Sequence, residues 1–72
     1  MLTNELKGKI IAAGYSQKTL AEAMTDAGNK ISENTLSKKV NGRVPFDTDE
    51  VRCICGLLGI IDNDEKAHIF LA

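Results

Sequence analysis

The fold is decided by one stretch of the chain, residues 16–42, which reads SQKTLAEAMTDAGNKISENTLSKKVNG. The same helix-start pattern occurs in it twice: an apolar residue, a serine, two further residues, a threonine and another apolar residue. A serine hydroxyl at such a position accepts a hydrogen bond from a free backbone N–H of the first turn, and the flanking apolar pair fixes the entry of the chain. The pattern falls at Tyr15–Leu20 and at Ile31–Leu36, and Gly28 and Gly42 close the two segments. The stretch therefore predicts two short helices joined by a turn.

The second of these helices has a narrow apolar stripe and a broad polar face. Leu36 and Val40 are four residues apart, so both face the core. The rest of the helix is polar and is made of Glu33, Asn34, Ser37, Lys38 and Lys39. Amide, hydroxyl and ammonium groups at the start of a helix are those that pair with base edges and phosphates in the major groove of DNA. A helix that only faces solvent has the same composition, so the pattern alone leaves both readings open.

The stretch resembles the helix-turn-helix of phage repressor and Cro proteins, the xenobiotic-response-element type. The residues that carry the resemblance are Ser16-Gln17, Leu20-Ala21-Glu22, Ser32, Thr35-Leu36-Ser37 and Asn41-Gly42. The resemblance implies an all-α fold, a compact five-helix bundle of the lambda-repressor-like type, with residues 1–72 forming a single domain. One feature departs from that family, because TDAGNKI separates Met24 from Ser32 where the family has a tight turn. This insertion predicts either a longer first helix or a loop beside the reading helix.

The resemblance also assigns a role to individual side chains. Those placed to read DNA bases are Glu33, Asn34, Ser37 and Lys38. Those placed to contact phosphates are Gln17, Lys18, Lys39, Asn41 and Arg43. Asparagine suits an adenine, lysine suits a guanine, and glutamate accepts a hydrogen bond from a cytosine.

The chain on either side of this stretch predicts three further helices, of which the last is short. The first covers residues 3–13, with Thr3 as its cap and Gly14 at its end. The last begins at Asp62, with Glu65 as its capping-box partner.

The fourth helix has the most complete start pattern. Asp47 is its cap, Glu50 is the capping-box partner, and Phe46 and Val51 are the apolar pair that flanks them. Gly56 lies inside this helix, where glycine costs about 1 kcal/mol relative to alanine. We therefore expect Gly56 to mark a close approach of another helix.

Charge is distributed unevenly along the chain, whose formal net charge is −1 at pH 7. Residues 1–45 contain seven basic and four acidic side chains, whereas residues 46–72 contain two basic and six acidic ones. The positive half includes the predicted reading helix, which fits DNA binding. The same dipole equally fits a protein that docks its acidic half on a basic partner.

Several other classes of protein are not expected from this sequence. No apolar run approaches the roughly 18 residues that span a bilayer, and the first residues lack the pattern of a signal peptide, so we expect a cytoplasmic protein. Cys53 and Cys55 point in different directions on a helix, and His68 is the only other soft ligand, so neither a disulfide nor a metal site is expected. No catalytic motif is recognisable, so we expect no enzyme, no cofactor and no small-molecule substrate.

Two functions remain open at this point. The first is a Cro-like repressor of a phage lysis–lysogeny switch in the bacterial host, which binds double-stranded operator DNA, with a homodimer matching a palindromic site. The second is a modulator that docks on the basic DNA-binding domain of a partner repressor and binds little DNA alone. It is implied by a resemblance to the modulator-of-repression proteins of temperate lactococcal phages. Its candidate partner contacts are Asp47, Asp49 and Glu50. The side chains that form either a dimer surface or part of the core are Ile60, Ile61, Ile69, Phe70 and Leu71.

Overall fold

Five α-helices follow one another in a computed structural model that describes residues 1–71. They are α1 (Thr3–Ala12), α2 (Gln17–Asp26), α3 (Glu33–Val40), α4 (Thr48–Leu58) and α5 (Asn63–Phe70). These residues contain no β-strand, and their Cα radius of gyration is 10.8 Å. The predicted all-α class and the predicted number of helices are therefore confirmed for this part of the chain. None of the five helices combines the length and the apolar character that crossing a membrane requires.

The predicted side-chain caps start the three central helices. Ser16 Oγ accepts the N–H of Thr19 at 3.1 Å, and Thr19 Oγ1 accepts the N–H of Ser16 at 2.8 Å. Ser32 begins α3 in the same way, because its hydroxyl accepts a backbone N–H of the first turn at 3.2 Å. At the start of α4 the carboxylates of Asp47 and Glu50 accept each other's backbone N–H, at 2.7 and 2.9 Å. Three predicted helix starts are thus confirmed at the level of individual hydrogen bonds.

The two terminal helices begin differently from the prediction. Thr3 is the first residue of α1 and not its cap, and the residue before it makes no side-chain cap. Asp62 does cap α5, but it accepts the N–H of Asp64, at 2.8 Å. Glu65, the predicted capping-box partner, forms an ion pair with Lys9 of α1 instead. The carboxylate of Glu65 therefore joins two helices where the sequence suggested a purely local role.

One apolar core joins all five helices. Its buried members are Leu6, Ile10, Leu20, Ala21, Met24, Leu36, Val40, Ile54, Cys55, Ile60 and Ile69. Helix α2 packs on α3 and α4, and α1 packs on α3 and α5. The apolar stripe of α3 is fully buried in this core, so its polar side is the one that faces solvent.

The long connection between α2 and α3 combines the two predicted possibilities. Helix α2 continues to Asp26, and a loop follows in which Gly28 has a φ of +94°. Thr25 Oγ1 donates to the carbonyl of Ile31 at 3.2 Å and accepts the N–H of Ile31 at 3.3 Å. The loop is thereby fixed to the last turn of α2, and α3 begins from a defined position.

The prediction made for Gly56 is wrong. The residue is exposed in the last turn of α4, and a Cβ built there would meet no heavy atom within 4 Å outside its own helix backbone. The buried apolar residues of α4 are Ile54 and Cys55, and Val51, Leu57 and Leu58 are partly buried against the same core. Gly56 therefore lies on the outer side of α4, where no other helix approaches it.

Candidate nucleic-acid interface

The four side chains predicted to read bases lie on the outer side of α3. Glu33, Asn34 and Lys38 are exposed, and Ser37 is half-buried. Asn34, Ser37 and Lys38 are spaced by three and four residues, so they share one face of the helix. The structure therefore brings these polar groups together on one surface, because the apolar stripe on the opposite side holds α3 against the core.

The end of α3 is closed by a side chain from the predicted phosphate-contacting set. Asn41 Nδ2 donates to the carbonyl of Ser37 at 2.8 Å and lies 3.3 Å from Ser37 Oγ. The carbonyl of Ser37 also accepts the backbone N–H of Asn41 at 3.0 Å, so the side chain of Asn41 adds a second donor to the end of α3. A phosphate contact by Asn41 therefore requires its amide to turn away from Ser37.

Three of the residues predicted to contact DNA have a charged group that forms no ion pair within residues 1–71. Lys18, Lys38 and Arg43 are exposed, and none of them is paired with a carboxylate within residues 1–71. Gln17, the first residue of α2, is half-buried beside Lys18. The first turn of α2 and the end of α3 thus supply the cations of this surface.

Lys39 does not belong to this surface, and its predicted phosphate contact must be corrected. The ammonium of Lys39 donates to both carboxylate oxygens of Glu50. Only 14% of the Lys39 side chain and 7% of the Glu50 side chain are exposed. Removing one partner from such a buried pair costs about 3–5 kcal/mol, because the other charge is left without compensation. Glu50 is accordingly removed from the predicted partner contacts as well.

The acidic surface at the start of α4 is smaller than the sequence suggested. Asp47 and Asp49 are exposed, whereas only 5% of Glu50 is exposed. One oxygen of Asp47 is already used as the cap of α4. The accessible part of this surface therefore consists of the carboxylates of Asp47 and Asp49.

The five apolar side chains considered for a dimer surface divide into two groups. Ile60 and Ile69 belong to the core, with 2% and 1% of their surface exposed. Ile61 and Leu71 lie outside the core with 86% and 83% exposed, and Phe70 is half-buried. Ile60 and Ile69 therefore close the protein's own interior and are removed from any dimer surface.

The two cysteines and the histidine lie in separate surroundings. Cys55 is buried and Cys53 is half-buried, and burial raises the pKa of both thiols. His68 Nε2 lies 2.9 Å from Glu5 Oε2 on the surface between α5 and α1. No group of three or more histidine, cysteine, aspartate or glutamate side chains that could hold a metal ion occurs in residues 1–71.

Sequence comparison places this five-helix chain in one protein family. The matching family model is described as a protein of unknown function, DUF739, and it covers residues 3–71. The chain therefore belongs to the DUF739 family. Neither the curated proteins nor the solved structures contain a match to the chain.

Proposed function

We propose that the protein is a phage-type helix-turn-helix transcriptional regulator of a lysis–lysogeny switch, in which α3 binds operator DNA. In this proposal α2 and α3 are the two helices of the motif, within a bundle of the lambda-repressor-like type. The observation that carries the proposal is the shared outer face of Asn34, Ser37 and Lys38 on a helix whose other side is buried. Direct packing of α3 on α2 and the matching serine caps of both helices support it further.

The proposed binding mode gives the α3 face two kinds of contact. The amide of Asn34 pairs with an adenine and the ammonium of Lys38 with a guanine, and each good pair discriminates by about 1–3 kcal/mol. Glu33 accepts a hydrogen bond from the amino group of a cytosine. Lys18 and Arg43 neutralise phosphates on either side, and the free N–H groups at the start of α2 add donors.

This function is tested with single substitutions on α3. Asn34→Ala and Lys38→Ala are each expected to weaken binding to operator DNA by about 1–3 kcal/mol and to relax preference at single base pairs. The measurement is a gel-shift titration on the promoter DNA beside the protein's own gene, at low and moderate salt. Arg52→Ala is the matched control, because Arg52 is an exposed cation on α4. Unchanged operator binding in both α3 variants would reject the proposal.

A second candidate function is favoured by the neutralisation of Lys39. With Lys39 paired to Glu50, the free cations of the predicted contact set are only Lys18, Lys38 and Arg43, on a chain of net charge −1. Phosphate neutralisation supplies most of the non-specific affinity for DNA, so a surface with few cations binds it weakly alone. The alternative is a modulator that docks its acidic surface, Asp47 and Asp49, on the basic DNA-binding domain of a partner repressor.

The alternative is tested by removing charge while keeping the fold. Asp47→Asn retains the cap of α4, because asparagine caps a helix as well as aspartate does. Combined with Asp49→Asn, it is expected to slow association with the repressor's DNA-binding domain and to weaken the salt dependence of the rate. Asp64→Asn, on α5, is the matched control. An unaltered association rate would contradict docking through this surface, and a gel shift that appears only when the repressor is added would support it.

A further inference from the structure

A buried ion pair links the end of α3 to the start of α4. The ammonium of Lys39 binds both carboxylate oxygens of Glu50, and Glu50 Oε1 also accepts the N–H of Asp47 at 2.9 Å. Only 5% of Glu50 is exposed. The carboxylate is therefore held in place by the first turn of its own helix, and it forms a fixed acceptor for the lysine of the neighbouring helix.

Of the three cations at the end of α3, which are Lys38, Lys39 and Arg43, only Lys39 is paired with a carboxylate within residues 1–71. Lys38 beside it and Arg43 just after α3 are exposed and lack a carboxylate partner within residues 1–71. The backbone also keeps these residues together, because the N–H of Arg43 donates to the carbonyl of Lys38 at 2.9 Å. An unpaired ammonium at position 39 would thus add a third free cation to the same end of α3.

We propose that Glu50 sets the specificity of the α3 face by keeping Lys39 away from nucleic-acid phosphates. A phosphate contact strengthens binding to every duplex equally and carries no sequence information. Because Lys39 is withheld, base contacts from α3 provide a larger share of the total binding free energy. The inference rests on the proposed function in one respect, namely that the α3 face is turned toward DNA.

Two substitutions separate the charge of this pair from its packing. Glu50→Gln retains a side chain that completes the capping box but removes the charge that holds Lys39. The flexible four-carbon stem of Lys39 then allows its ammonium to turn into solvent. Lys39→Met removes the ammonium and retains most of the stem. The double variant, Lys39→Met with Glu50→Gln, has neither charge and shows whether any gain in Glu50→Gln depends on Lys39.

The experiment measures affinity for a random-sequence DNA duplex as a function of salt concentration, by fluorescence anisotropy. Each added phosphate contact steepens the plot of log affinity against log salt by about 0.9, so Glu50→Gln is expected to lose roughly 3.5-fold more affinity between about 50 and 200 mM salt. Lys39→Met and the double variant are expected to keep the wild-type slope. Arg43→Gln, which removes a free cation, is the positive control and is expected to flatten the slope by about 0.9.

A salt slope separates this inference from a purely structural role of the pair. Loss of stability lowers the folded fraction, which circular dichroism measures, but it does not add a released counterion. A salt slope equal to that of the wild type in Glu50→Gln, or a flatter slope in Lys39→Met, would overturn the inference.

The outcomes also distinguish the inference from the proposed function. If the wild type binds its operator while Glu50→Gln does not steepen the salt slope, only the inference fails. If the wild type binds no DNA while Glu50→Gln gains salt-dependent binding, the proposed function and the specificity role of Glu50 both fail, and only the shielding of Lys39 from phosphates is supported. Absence of binding by both proteins rejects the two together.

Discussion

The hydroxyl of Thr25 bonds to the backbone of Ile31 in both directions, as donor to its carbonyl at 3.2 Å and as acceptor of its N–H at 3.3 Å. Thr25 belongs to the last turn of α2, and Ile31 immediately precedes the cap of α3. This one side chain therefore fastens the loop between the two helices to the last turn of α2. The position of α3 relative to α2 depends on this hydroxyl as well as on the buried apolar stripe.

Thr25→Val tests this closure, because valine keeps the shape of the side chain and removes both hydrogen bonds. We expect the free energy of unfolding to fall by about 1 kcal/mol, since the groups are exposed and the freed backbone can pair with water. Urea denaturation gives this value. Thr48→Val is the control, because Thr48 is an exposed helical threonine whose side chain makes no hydrogen bond within residues 1–71. Equal unfolding free energies in the two variants would show that the closure contributes nothing.

Helix starts could be predicted from the sequence because each depends on residues that are close neighbours in the chain. Ser16, Ser32 and Asp47 bond to an N–H only three residues ahead, so their surroundings are fixed by local spacing. The outer face of α3 was predictable for a related reason, because the stripe of Leu36 and Val40 determines which side is buried.

Contacts between helices could not be predicted in this way. Lys39 and Glu50 are eleven residues apart and belong to different helices, so their pairing depends on where the fold places the start of α4 relative to the end of α3. Lys9 and Glu65 meet only because α1 and α5 are neighbours. A lysine on a predicted helix has the same sequence pattern whether its ammonium binds a phosphate or a carboxylate of the same chain. The sequence therefore predicted the exposed polar face of α3, but it did not predict that Lys39 would pair with a carboxylate of the same chain.

Gly56 offers a way to stabilise the protein. Gly56→Ala is expected to raise the free energy of unfolding by about 0.4–1 kcal/mol, because the new methyl group meets no neighbour and the unfolded chain loses conformational freedom. Gly59→Ala is the matched control on the same helix, since Gly59 ends α4 with a φ of +73° that alanine adopts only at a cost. Thermal unfolding followed by circular dichroism should give a higher melting temperature than the wild type for Gly56→Ala and a lower one for Gly59→Ala. A lower melting temperature for Gly56→Ala would mean that the new methyl group meets a neighbouring group on the outer side of α4.

The two thiols should make stability fall at alkaline pH. Burial raises the pKa of Cys53 and Cys55 above the ordinary value of 9.0, and for Cys55 the nearby Glu65 adds to this effect while Lys66 opposes it. The folded protein thus retains thiol protons that the unfolded chain has already released. The stabilisation is complete below pH 9.0 and is lost as the pH rises through the folded-state pKa values.

This prediction is checked by urea denaturation at a series of pH values on either side of 9.0. The variant carrying Cys53→Ala and Cys55→Ala is expected to lose stability less steeply above that pH than the wild type does. The comparison uses the slope and not the absolute value, because Cys55→Ala also leaves a small void in the core. Identical slopes would indicate that neither thiol is protected from ionisation by folding.

Phe46 and Phe70 join the start of α4 to the end of α5 through an edge-to-face contact, with ring centroids 5.9 Å apart and ring planes at 85°. Such a geometry contributes about 0.5–1.5 kcal/mol beyond the buried area of the rings. Phe46→Leu and Phe70→Leu retain apolar volume and remove one ring each, so a double-mutant cycle isolates the ring–ring term. We expect the double variant to be more stable, by about that amount, than the sum of the single losses predicts. Strict additivity would mean that the two rings contribute only as separate apolar groups. In that case the ion pair of Lys9 with Glu65 and the core around Ile69 would hold α5 in place without any ring–ring term.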